Sequence, residues 1–182
     1  MLTRAVCAGA LLCLAFVVTA QAGCESRARI ISSSMEPTIH CARPHPGCQG
    51  LRDDQVEEVP DSTLERGDII SFMAPQRAKN ICGVRGPALY VKRLIGLPGE
   101  RWLIRHGFVY INGRRLREPY VRPTRRDDLS FIERRIPSSR YVVLGDNRPV
   151  SCDSRAWGNL PAENVVGHVV AIRRGARTIK LG

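Results

Sequence analysis

The chain has 182 residues, and its 28 Lys and Arg against 17 Asp and Glu leave a formal net charge of +11. At 43% hydrophobic and 25% charged, it has the composition of one compact domain with an appendage. That excludes a disordered chain, a collagen-like repeat and a multi-span membrane protein. The arginines are scattered from Arg27 to Arg177 without a basic helix or a base-stacking aromatic run, so the expected neighbour is a phospholipid surface and not nucleic acid.

After Met1 to Arg4 the stretch Ala5 to Ala22 carries no charge, and as a helix it would span roughly 27 Å, enough for a bilayer core. It reads as a retained membrane anchor. Two other readings stay open: Ala20-Gln21-Ala22 has the small-x-small form of a cleavage site, and Gly23-Cys24 has the form of a lipid-attachment site, where Gln21 replaces the usual aliphatic residue. Arg4 on one flank and Arg27 and Arg29 on the other leave the orientation undecided.

Of seven cysteines, Cys7 and Cys13 lie in the apolar stretch and Cys24, Cys41, Cys48, Cys82 and Cys152 beyond it. Outside the cytosol the five allow two disulfides and one thiol, with Cys41 and Cys48 the easiest pair to close across Pro44, Pro46 and Gly47. His40, Cys41, His45 and Cys48 also offer zinc donors, but at a spacing that fits no standard finger, and no metal is expected.

Period-two alternation with turn punctuation predicts strands at Asp68 to Ala74, Leu89 to Ile95, Arg101 to Arg105, Phe108 to Ile111, Tyr141 to Leu144 and Val165 to Arg173. His106-Gly107 and Asn112-Gly113 supply hairpin turns that need positive φ. Ala42 to Asp61 and the Arg- and Pro-rich Glu118 to Arg135 show no clear strand, and Lys180 reads as a frayed end. The expectation is a mainly β, Greek-key or barrel-like domain over 25–182, with 118–140 a short insertion, held at a membrane by one helix within 1–24.

Ile30-Ile31-Ser32-Ser33-Ser34-Met35-Glu36-Pro37-Thr38 runs from apolar residues into three serines and a proline, a turn that could present a hydroxyl close to the bilayer. A serine nucleophile needs a base. His40, His45, His106 and His168 form no Ser/His/Asp spacing. Lysine can serve if its pKa falls from about 10.4 toward neutrality, which burial among apolar groups accomplishes. The chain has three lysines, Lys79, Lys92 and Lys180. Alternation puts Tyr90, Lys92 and Leu94 on one face of their strand, so Lys92 points among apolar neighbours, whereas Lys79 lies in a polar stretch. A plain edge lysine that blunts a sheet is the competing reading. The loop Gly145 to Gly158, dense in Asp, Asn, Ser and Arg, has the composition of an ordered active-site wall.

Four ordered segments resemble the boxes of the type I signal peptidases, membrane-anchored serine proteases with a Ser/Lys dyad: Ser32 to Thr38, Arg66 to Phe72, Tyr90 to Glu100 and Gly145 to Gly158. The resemblance implies Ser34 as nucleophile, Lys92 as general base, Ser151 as the hydroxyl that orients the amine, and the Ser34 N–H with the Ser32 hydroxyl as oxyanion hole. It further implies Ile30, Met35, Tyr90 and Val91 as the substrate-pocket wall, and Asp146, Asp153 and Arg155 as the groups that brace the site. The implied substrates are secretory preproteins cut after an Ala-x-Ala-type site, with no cofactor and no metal. The implied setting is the bacterial inner membrane, single-pass, the catalytic domain on the periplasmic side; the oligomeric state stays open, with a monomer favoured. Pro149-Val150 stand where the family usually has a polar or acidic pair, the region from Glu118 to Tyr141 is short, and the Cys41/Cys48 loop is not a family hallmark. A conjugation-type pilin-processing peptidase shares the dyad and is the alternative enzyme. A membrane-anchored scaffold with a decayed site is the alternative outside the enzymes, and the intact Ser34, Lys92 and Ser151 argue against it. The SOS-response repressor proteases share the dyad too, but the chain has no room for their DNA-binding domain.

Overall fold

The computed structural model describes residues 26–29, 32–43, 47–51, 53–60 and 63–181. In chain order the strands are β1 (Ser26–Arg29), β2 (Gln55–Val59), β3 (Ile69–Met73), β4 (Leu89–Gly96), β5 (Arg101–Arg105) and β6 (Phe108–Ile111). They continue as β7 (Arg114–Arg115), β8 (Phe131–Arg135), β9 (Arg140–Leu144), β10 (Leu160–Pro161), β11 (Val165–Arg174) and β12 (Arg177–Lys180). Two short helices, α1 (Gln76–Cys82) and α2 (Ser154–Trp157), interrupt them. The protein is therefore mainly β, as the alternation predicts.

Eight strands form one sheet in the order β1-β2-β11-β3-β4-β9-β10, and β12 pairs with β11. The other four form a second sheet in the order β7-β6-β5-β8, and the strands of both sheets pair antiparallel. Period-two alternation sends neighbouring side chains of β3 into different cores. Ile69 joins Met35, Ile39, Val56, Val169 and Ile172, whereas Ile70 and Phe72 join Leu94, Val143, Trp157 and Leu160. A third core, with Trp102, Ile104, Val109 and Ile111 facing Ile95, Val142 and Leu144, fastens the second sheet to the first. The hairpins fall where positive φ was needed, at His106 (47°), Gly107 (72°), Asn112 (49°) and Gly113 (78°).

Three expectations are corrected. Ala42 to Asp61 does contain a strand, β2, whose single apolar side chain turned to the core, Val56, is accompanied by a buried Glu58 in place of the second apolar residue that alternation requires. Glu118 to Arg135 also contains one: β8 completes the second sheet by pairing Arg135 with Arg101 and Phe131 with Ile104. Lys180 is not frayed but sits in β12, opposite Ala171 of β11. Cys41 and Cys48 form a disulfide, which consumes both thiolates and removes the zinc reading of that loop. A second disulfide joins Cys82 to Cys152. The apolar stretch Ala5 to Ala22 lies outside the described residues, as do Cys24, Ile30 and His45, and among the described residues no helix is long and apolar enough to cross a membrane.

Candidate active site

Ser34 sits in a single 3-10 turn, Ser33–Met35, that ends because Pro37 cannot donate a backbone hydrogen bond to continue it. Met35 and Ile39 are buried in the core beneath and hold the turn down. Its carbonyls are gripped from the far end of the sequence: the Asn147 N–H donates to the Ser34 carbonyl at 3.0 Å, and Asn147 Nδ2 donates to that of Ser33 at 2.9 Å. Immediately after the turn Glu36 is fully buried, and its carboxylate accepts from the Cys41 and Gln49 N–H groups and meets His40 Nδ1 at 2.5 Å. The disulfide loop is thereby tied to the serine turn.

Lys92 lies in the middle of β4, opposite Ile70 of β3, on the face that carries Phe72, Tyr90 and Leu94. It is 5% exposed, and its Nζ donates to Ser34 Oγ at 2.5 Å. The Tyr90 ring centroid stands 5.5 Å from the ammonium. Burial lowers the Lys92 pKa to about 8 against the opposing pull of the Asp153 and Asp146 carboxylates, with Arg155 pushing in the same direction as burial. Ser34 Oγ also meets Ser32 Oγ at 3.0 Å.

The C-terminal loop carries the bracing groups. Asp146, fully buried, accepts from both Nε and Nη2 of Arg93 at 2.9 and 2.7 Å and from the Thr38 hydroxyl at 2.5 Å, which links the serine segment to β4. Asp153 caps α2 by accepting from the Arg155 N–H, binds the Arg155 guanidinium, and accepts from the Gly145 N–H at 3.0 Å. Arg155 reaches on to Asp127 and to the Arg148 and Ser151 carbonyls. Ser151 Oγ is enclosed next to Gly145 with no hydrogen-bond partner among the described residues; it makes no bond to Lys92. Glu118, from the segment read as an insertion, pairs with both Arg148 and Arg126, and all three groups are largely buried.

A groove of about 580 Å³ opens over Ser34 and Lys92, lined by Ser32 to Met35, by Leu89 to Lys92, by Val150 and Cys152, and by Cys82, Val84, Pro87 and Ala88 on the remaining side. Met35, Tyr90 and Val91, three of the four expected wall residues, line it; Ile30 falls outside the described residues. Sequence reasoning missed Asn147, Glu36 and the Cys82–Cys152 bridge. Glu36 and Asn147 stand inside the boxes quoted for the resemblance, and Cys152 directly follows Ser151, so position alone marked them as worth examining.

The chain matches the family described as signal peptidase, peptidase S26, over residues 2–173. It is 39% identical over 108 residues to signal peptidase I of Leptolyngbya laminosa, covering 58% of this chain and 50% of that protein. It is 35% identical over 143 residues to the probable signal peptidase I-2 of a Synechocystis strain (76% and 58%), and 35% over 144 residues to signal peptidase I of Bacillus amyloliquefaciens (74% and 66%). A solved signal peptidase I from Enterococcus faecalis is 33% identical, with a TM-score of 0.49 over 59% of this chain and 97% of that one. The chain thus spans about half the length of the first of these curated relatives and under two thirds of the second. With the family matched along nearly all of its 182 residues, the chain belongs to the signal peptidases of the S26 peptidase family.

Proposed function

We propose that this protein is a type I signal peptidase, a serine endopeptidase that removes signal peptides from secretory preproteins after an Ala-x-Ala-type site. The observation that carries the reading is a buried lysine whose Nζ lies 2.5 Å from Ser34 Oγ and whose pKa burial lowers to about 8. Neutral Lys92 takes the Ser34 proton as the hydroxyl attacks the scissile carbonyl, then passes it to the leaving amine. Water, deprotonated by the same amine, releases the acyl group from Ser34. The Ser34 N–H and Ser32 hydroxyl serve the developing oxyanion. Ser151, whose enclosed hydroxyl has no hydrogen-bond partner among the described residues, is the group that orients the amine, and Asp146, Asp153 and Arg155 act through the loop they fix. Met35, Tyr90 and Val91, with Ile30, shape pockets for small side chains.

The chain works as a monomer at the bacterial inner membrane, with 1–24 as a single anchor, 25–182 as the periplasmic catalytic domain, and phospholipid beside its basic surface. A synthetic Ala-x-Ala precursor tests the activity directly. The wild type should cut it at one bond, while Ser34→Ala and Lys92→Ala should each fall to background with an unchanged circular dichroism spectrum. Cleavage by Lys92→Ala at the wild-type rate would refute the dyad.

A further inference from the structure

One wall of the groove is held differently from the rest. The chain leaves α1 at Cys82, turns at Gly83 with φ 69°, and runs through Val84, Pro87 and Ala88 along the groove before entering β4. The helix is only seven residues long, its one buried residue is Ala78, and it has no side-chain cap. A helix this short does not hold itself together in water. Gly83, Arg85, Gly86 and Pro87 are exposed, and the segment's backbone bonds are few: the Gly83 and Val84 N–H groups donate to the Lys79 carbonyl within the same unit, and the Ala88 carbonyl accepts from Ala74. Beyond the packing of Ala78, Cys82 and Ala88 on the core around Phe72 and Trp157, its covalent attachment is the disulfide from Cys82 to Cys152. At the other end of that bond the situation is reversed. Cys152 is flanked by Asp153, which is held by Arg155 and Gly145, its carbonyl accepts from Trp157 Nε1, and the Ser151 carbonyl accepts from Arg155.

We propose that the Cys82–Cys152 disulfide determines substrate binding by pinning residues 82–88 as the groove wall opposite Ser34, so that the groove is complete only in the oxidised protein. Opening the bond with a dithiol is a two-electron exchange: the reductant becomes its own disulfide, and its two electrons and two protons leave Cys82 and Cys152 as thiols. Both cysteines are half-buried on the groove, within reach of such a reagent. Reduction frees the α1 side and leaves the Ser151 side fixed, so the loss falls on substrate binding and not on the dyad. The inference rests on the peptidase reading and adds a compartment dependence to it. In a thiol-rich cytosol the wall is loose, and it closes in the oxidising space outside, where disulfides persist.

The test compares wild type with Cys82→Ser/Cys152→Ser, each before and after dithiothreitol. The readouts are kcat and KM on the Ala-x-Ala peptide, the pH profile, and amide hydrogen exchange over residues 76–88. Reduction should raise the wild-type KM about tenfold, to the level of the double variant, with kcat within about threefold, the pH midpoint unmoved, and faster exchange confined to 76–88. The variant should respond to the reductant less than twofold. A variant with wild-type KM, or one as sensitive to the reductant as the wild type, overturns the proposal, and so does unchanged exchange in 76–88. If exchange rises as expected but the oxidised wild type cuts no precursor, the pinned wall stands and the peptidase reading fails.

Discussion

Replacing Lys92 by methionine should make the protein more stable and inactive at the same time. Burial lowers the Lys92 pKa from 10.5 to about 8, against the pull of Asp153 and Asp146, which corresponds to about 3 kcal/mol of disfavoured ammonium. The sign follows from linkage. Below pH 8 both folded and unfolded chains hold the proton, and the folded one bears the full cost. Between 8 and 10.5 the unfolded chain holds it and the folded chain has released it, so the cost shrinks; above 10.5 it is gone. Methionine keeps the unbranched apolar stem, one atom shorter and without the charge, and forfeits the bond to Ser34 Oγ, worth about 1 kcal/mol. The net gain should be about 2 kcal/mol at pH 7, pass through zero at about pH 10 and become a loss approaching about 1 kcal/mol above pH 10.5, where only the missing hydrogen bond counts. Urea unfolding at pH 7, 9 and 10.5 measures it. The same pKa raises the neutral fraction of the amine at pH 7 from roughly 0.03% to roughly 9%, so wild-type kcat/KM should climb about tenfold per pH unit up to about pH 8 and then level. Equal stability of wild type and variant at pH 7, together with a rate flat from pH 6 to 9, would refute the argument that Lys92 is the tuned base.

Gly145→Ala should cut activity on the order of a hundredfold, since a Cβ there would stand 2.5 Å from the Ser34 carbonyl oxygen and closer still to Ser151 Oγ; steady-state kinetics check it, and near-wild-type turnover would show that the close approach is not needed. Glu118→Ala should lower stability by about 3 to 5 kcal/mol, because it leaves the buried Arg148 and Arg126 without their carboxylate, and a urea midpoint close to that of the wild type would contradict this. In the substrate, Leu for Ala immediately before the cut adds three carbons against Met35 and Tyr90 and should slow turnover by well over a hundredfold, at about 1 to 3 kcal/mol for each carbon that overfills a packed pocket. Comparable cleavage of the two peptides would break the assignment of that wall even if the dyad is right.

What could be read beforehand depended on how much of each feature is local. β5 and β6 alternate cleanly and are joined by His106-Gly107, so both were legible to the residue. β2 was not, because Glu58 occupies a core-facing place, and β8 owes its pairing to β5 and not to its own run of Phe131, Ile132 and charged residues. α1 has one buried residue, too few for a helical period. At the site, Lys92 stood out because lysines are scarce and its neighbours alternate. The partnership of Cys82 with Cys152 did not, since five outer cysteines pair in many ways and the closing contact spans 70 residues. Glu36 was likewise unreadable: beside His40, two of the groups that make its burial tolerable, the N–H of Cys41 and of Gln49, come from the backbone.

The grip of Asn147 on the Ser33 and Ser34 carbonyls has a consequence in time. Residue 34 leaves the ribosome more than a hundred residues before its clamp does. Contacts of such separation form late, after the loop between them has been closed. The serine is therefore made early and aligned last, when β9 and the turn that follows it have docked. A nascent or truncated chain that stops short of Asn147 carries Ser34 and Lys92 together without the contacts that hold the serine turn in place. Under the mechanism proposed above, hydrolytic competence arrives as one of the final events of folding, once the C-terminal loop has closed over the serine turn.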